Sequence, residues 1–357
     1  MTLRHAQNRQ QDVLTDMTLY MPPIVFDRNA HLVPLFVRVA DLMWCGAGLS
    51  CFQKTPGRSG VAIPTAVYTV TLPLVHLVQG WDAGPEAIGE DMHMMLKCYF
   101  STHGKLAVES IASPASQCNI SSSKTGIRGW MVSHKARYFQ GLRHMWGCLD
   151  TGFAFKQWSQ LGKRSEGQPP RQRKLSHTEL ELKLSQYQQH GDSGVKLTMR
   201  NLVLFVRIFE AHFLPIHLLL VAAASGLYSN LKAPLVHCWQ LSFVMDVTAI
   251  LRAVSYFVMV AYFAIFYERY HRICVEAREF EMRRAGLYDD MAENFSYRKQ
   301  SKLVTWLDYL LFPLAGTIFG SVPLFHAALA HFWTDRLVYK VSEKPVRPIT
   351  NMAFEEV

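Results

Sequence analysis

The sequence predicts an α/β domain followed by an α-helical multi-pass membrane region. Over the first 160 residues, short β-branched runs alternate with stretches of helical periodicity, the pattern of mixed strand and helix layers. Beyond Asn201 lie apolar blocks, each longer than the roughly 20 residues that cross about 30 Å of hydrocarbon. The mean hydropathy of the whole chain is only +0.05, so the apolar residues are concentrated in one half rather than spread evenly.

In chain order, Pro22-Pro23 precedes Ile24 to Phe26, an apolar run that predicts a short buried strand. Leu35, Val39 and Leu42 share a helical face, which makes Leu35 to Leu42 a helix. Ala66 to Pro73 alternates β-branched residues and predicts a strand, followed by a short helix from Leu74 to Gln79 and a turn from Gly80 to Pro85. Met92, Leu96 and Phe100 are spaced by four, so Asp91 to Phe100 is predicted helical, with an acidic start suited to the positive end of the helix dipole. Gly162 to Lys174 is basic, contains Pro169-Pro170 and has no large apolar residue, which marks a linker. Ser176 to Glu179 then carries a capping-box pattern that opens an interfacial helix.

The apolar blocks are Leu202 to Tyr228, Pro234 to Tyr267 and Trp306 to Trp333. Between the second and third, Glu268 to Lys302 is rich in arginine, which places that loop in the cytosol and the short Ser229 to Ala233 connection outside. Pro313, Gly316, Gly320 and Pro323 interrupt the third block, leaving a kinked span, a re-entrant loop or two short pieces open. The resulting division is residues 1–160 as the soluble domain, 161–200 as basic linker and interfacial helix, 201–335 as the membrane region with a cytosolic loop 268–304, and 336–357 as a polar tail.

A formal charge of +9 would suit nucleic acid, but Lys and Arg crowd beside the apolar blocks as cytoplasmic flanks do, so the expected partner is lipid and not nucleic acid. The seven cysteines are odd in number and form no C-x-x-C pair, which argues against a disulfide framework and a zinc site.

Two motifs carry chemistry. Gly89-Glu90-Asp91 sits at a turn-to-helix junction, where a carboxylate can take a proton from an attacking hydroxyl; an acidic helix start stabilised by the dipole explains the same residues. About fifty residues later, Gln140, Arg143, His144 and Gly147 share one helical face. There Arg143 can grip a diphosphate with its planar fork, Gln140 can hydrogen-bond to it, and His144 or Trp146 can stack on a sugar ring. A basic, aromatic helix lying on anionic lipid is the competing account. Asp246 and Arg252, charges at membrane depth, either line a path or reflect snorkelling or a helix break.

Glu90-Asp91, then Gln140-x-x-Arg143, then membrane helices: in this order the segments resemble the second half of a family 2 glycosyltransferase of the cellulose, chitin and hyaluronan synthase type. The wider text around Pro64 to Pro73, Gly80 to His93 and Arg143 to Gly152 is similar to fungal membrane members. The resemblance implies a partial GT-A-like domain and an inverting enzyme that moves a sugar from a nucleotide donor, a UDP-sugar, to a polysaccharide acceptor. It places the catalytic part in the cytosol and the protein in the plasma membrane rather than the Golgi. Asp91 then matches the catalytic base with Glu90 beside it, and Gly89 stands where Thr is usual. Gln140 and Arg143 match the diphosphate contacts, while His144 occupies the slot of the family's Trp, so Trp81, His144 and Trp146 are the candidate acceptor rings. Tyr339, Val341, Ser342 and Lys344 resemble a gating loop over the nucleotide.

The family also implies a divalent metal, Mg or Mn, held by an Asp-x-Asp motif, and no Asp-x-Asp occurs in these 357 residues. From that the chain is expected to begin midway through the catalytic domain and to bind donor weakly or not at all. A non-catalytic membrane protein and a pseudoenzyme acting through partners are the rival readings. The sequons at Asn119 and Asn294 are expected to stay unmodified, both falling in cytosolic regions.

Overall fold

In the computed structural model, residues 17–49, 61–82, 89–122, 124, 126–164, 199–231, 239–288, 300–334 and 336–337 are described. The capping-box helix, the Asn294 sequon, the gating-loop residues Tyr339, Val341, Ser342 and Lys344, and the basic linker beyond Arg164 lie outside them, while the linker's first three residues, Gly162 to Arg164, are corrected to the end of a helix.

The structure joins helix and strand in one domain. Strand β1 (Thr18–Met21) runs into β2 (Ile24–Phe26), interrupted by Pro22 and Pro23, which have no N–H to give a ladder. Helix α1 (Leu35–Leu49) follows, then β3 (Thr69–Val70), α2 (Leu72–Leu77), α3 (Glu90–Ser101), β4 (Ala107–Ser110) and β5 (Ala115–Gln117). β1 pairs antiparallel with β3 and parallel with β4, while β2 pairs parallel with β5. Thr18 faces Ala107 but Ile24 faces Ala115, so the second strand absorbs two extra residues opposite the prolines. The break is bridged by Ile111 N donating to Met21 O and Ala115 N to Pro23 O, both at 2.9 Å.

The strand expected over Ala66 to Pro73 is corrected to two residues, because the chain turns helical at Leu72 with Pro73 in the first turn, where a missing N–H costs nothing. The helix expected from Leu74 accordingly begins earlier. Leu19, Met21, Leu74, Met95, Leu96, Tyr99 and Leu106 form the main core. They come from β1, α2, α3 and the approach to β4, so α3 is anchored along its apolar face.

Helix α4 (Gly126–Met145) leads through a 3₁₀ turn (Trp146–Leu149) into α5 (Asp150–Arg164). The first apolar block is not one straight span. α6 (Met199–His212) buries Leu204 and Ile208, one turn apart, in the main core, and meets α7 (Leu214–Leu231) at a 47° bend. Pro215, in the first turn of α7, cannot donate back across that junction.

Two helices are long and apolar enough to cross a membrane: α8 (Trp239–Arg284, 46 residues) and α9 (Lys302–Ala330, 29 residues), with a third crossing if the bent pair counts as one. The expected loop 268–304 is corrected in its first part, since Glu268–Arg284 continues α8 as helix. Of the alternatives left open for the third block, the structure shows one helix carrying a π-turn at Thr317–Ser321, which accommodates Pro313 and Gly320 without a chain reversal.

The soluble domain is tied to these helices by charge. Arg38 grips Asp308 with two bonds of 2.8 Å, and Gln300 donates to the same carboxylate at 2.7 Å. Arg278 pairs with the fully buried Asp27 at the end of β2. α4 lies along α9 so closely that a Cβ on Gly141 would stand 2.5 Å from Phe319 O. The first of the two residues between Gln140 and Arg143 is therefore kept glycine by packing. Asn119 is 0% exposed, exchanging hydrogen bonds with Asn29 and donating to Asp41 at 2.6 Å, so the folded chain does not present that sequon to a modifying enzyme.

Candidate active site

The acidic motif and the Gln-x-x-Arg helix converge. Gly89 caps α3 with φ +102°, a conformation that glycine adopts without the penalty other residues pay. A Cβ there would lie 3.1 Å from Gly147 Cα. Gly89 is thus pressed against the turn that ends α4, which leaves no room for a side chain. Asp91 is thus two residues from the contact on one side and Arg143 four residues from it on the other.

Asp91 is half-buried, and its Oδ1 accepts from Met92 N at 2.8 Å. Burial pushes its carboxyl up to about 7; Glu90 and Asp150 add to the rise and the backbone hydrogen bond opposes it. A carboxylate poised near neutrality suits a general base. Glu90 is exposed beside it.

Several site residues were not singled out from sequence. His93 Nδ1 meets Asp150 Oδ1 at 2.5 Å, and its Nε2 meets Asp82 Oδ2 at 3.1 Å. Lys97 Nζ donates to Asp82 Oδ1 at 2.9 Å and to Gly80 O at 3.0 Å. Trp81, between those two anchors, is 49% exposed and donates from Nε1 to Tyr68 Oη at 2.7 Å. The four-residue spacing of His93 and Lys97 on α3 was the available signal.

On the other motif, Arg137 is fully buried, pairs with Asp41 at 3.0 Å and donates to Gln140 Oε1 at 3.2 Å, which orients the Gln140 amide. Arg143 Nη2 lies 3.3 Å from His144 Nε2. Burial, with Arg137 and Arg143 nearby, drives His144 down to about 3, so its ring is neutral and accepts that bond. The same ring meets Trp44 edge-on at 4.8 Å. Trp146 is 3% exposed among Leu142, Met145, Leu324 and Ala327, and its ring contacts His331 at 4.4 Å. Of the three candidate acceptor rings, Trp146 is buried, His144 is partly buried and Trp81 is open to solvent.

Among the described residues, no group of three or more His, Cys, Asp or Glu side chains is placed to hold a metal ion.

A half-buried carboxylate at the start of α3 thus lies two residues from the Gly89–Gly147 contact, and the arginine-bearing helix α4 ends at the other side of it, beside helices long and apolar enough to cross a membrane. Residues 7–268 match the family described as glycosyl transferase family group 2, and the chain belongs to that family. No curated protein and no solved structure matches it.

Proposed function

We propose that the chain is a membrane-embedded, inverting glycosyltransferase that moves a sugar from a UDP-sugar to a saccharide acceptor. One observation supports this reading: the contact of Gly89 with Gly147, which packs the start of the helix bearing Asp91 against the end of the helix bearing Arg143. The Asp91 carboxylate removes the proton from the acceptor hydroxyl as that oxygen attacks the anomeric carbon. The bond to the diphosphate breaks on the opposite face, so the configuration inverts once, and the leaving group carries off the electron pair. Arg143, with Gln140 held by Arg137, offers donors to the charge that develops there. Trp81 supplies an open ring face for the acceptor sugar.

The test is transfer by the full chain in lipid nanodiscs from radiolabelled UDP-glucose, UDP-N-acetylglucosamine and UDP-glucuronate. One donor is expected to yield labelled saccharide slowly, in keeping with the weak donor binding expected of a chain without an Asp-x-Asp motif, and Arg143→Lys to lower that rate by roughly 10²-fold because a point charge replaces a planar fork. Transfer that is indifferent to Arg143→Lys contradicts the assignment.

A further inference from the structure

Beside the base, a set of charged side chains is gathered around one imidazole. His93 presents Nδ1 to Asp150 of α5 at 2.5 Å and Nε2 to Asp82 of the preceding loop at 3.1 Å. Its ring rests on Phe153 with centroids 4.5 Å apart. Lys97, one turn along α3, holds Asp82 at 2.9 Å and Gly80 O at 3.0 Å. Asp82, Asp150 and Lys97 are thus the charged groups facing the ring from the loop, from α5 and from α3 itself.

Trp81 lies between the two residues that α3 grips. A ring with a carboxylate at each nitrogen satisfies both only as imidazolium, because the neutral ring has one N–H. We propose that His93 is a positioning residue: a proton-dependent clamp that holds the Trp81-Asp82 corner against the base helix and so sets how firmly the saccharide acceptor is held. The inference rests on Trp81 being the acceptor platform.

The hydrogen bond from Asp150 raises His93 above its ordinary value of 6.5, so the clamp is closed below that raised midpoint and opens as pH rises through it. On deprotonation the remaining N–H stays with Asp150, the closer carboxylate, and Asp82 keeps only its bond from Lys97, so the corner is held at one point of α3 instead of two. The base works in the opposite sense. Asp91 must lose its proton to act, so turnover climbs with pH while the hold on acceptor weakens.

The clamp can be followed in the full chain in nanodiscs carrying 5-fluorotryptophan, with the Trp81 ¹⁹F resonance identified by its loss in Trp81→Phe. The resonance is expected to shift with a midpoint above 6.5, and the step to vanish in His93→Gln. Asp82→Asn, at an exposed position, gives the same result should His93→Gln fail to fold. A pH step that persists in both variants overturns the clamp. Cellohexaose and chitohexaose are then titrated at pH 6. At least one is expected to move the Trp81 resonance, with an affinity falling about tenfold in either variant. A Trp81 resonance that titrates through His93 but ignores both oligosaccharides overturns the acceptor reading instead, so the two failures are distinguishable.

Discussion

Replacing Asp91 with Asn should make the protein inactive and, at neutral pH and above, more stable. The carboxyl titrates near 3.8 in an unfolded chain and near 7 in place, a difference of about three pH units. The sign follows from the raised value. The folded state keeps the proton more tightly, so the group's contribution is fully present below about 4 and is lost progressively as pH rises to about 7. At 1.36 kcal/mol per unit, the ionised side chain costs the folded state roughly 4 kcal/mol above pH 7. Asn keeps the shape and an oxygen for the Met92 amide without carrying the charge. Its stabilising effect should therefore be small at pH 4, grow by about 1.4 kcal/mol per unit and level off above 7. Intrinsic-fluorescence melts at one fixed scan rate, from pH 5 to 8.5, read this as a gap between variant and native chain that widens with pH. A gap independent of pH, or a variant less stable at pH 8, would refute the placement of Asp91 in a desolvated site.

Three further outcomes follow from the packing. Gly89→Thr, which restores the residue usual in the family, should cost about 1–2 kcal/mol for the left-handed backbone alone and abolish transfer by pushing Gly147 away, as melts and rates will read. Arg137→Met leaves Asp41 buried without its cation and should cost roughly 3–5 kcal/mol, partly recovered in Arg137→Met with Asp41→Leu in a double-mutant cycle. Gly141→Ala inserts a methyl group against Phe319 O and should cost about 1–3 kcal/mol, visible as a lower melting temperature.

Local periodicity made α3 legible, because Met92, Leu96 and Phe100 all turn to the core. Glu90-Asp91 and Gln140-x-x-Arg143 were legible for a different reason: each is compact in sequence, and their order carries the family resemblance. The link from His93 to Asp150 spans 57 positions and exists only because the turn after α4 folds back onto α3. The strand expected at Ala66 to Pro73 failed where a local alternation met a proline that favours a helix start. Hydropathy likewise did not separate α6 from α7, since Leu204 facing a protein core and the exposed Leu218 and Leu220 of α7 look the same in composition.

The central claim is that Asp91 and the Gln140–Arg143 helix serve one reaction. Transfer from the productive UDP-sugar, measured from pH 5.5 to 8.5 at saturating acceptor, tests it most directly. The account predicts that kcat in the native chain rises through a midpoint near 7, while Asp91→Asn is 10²- to 10⁴-fold slower and has lost that rise. A native profile flat across this range, or an Asp91→Asn chain that transfers at the native rate, would contradict it.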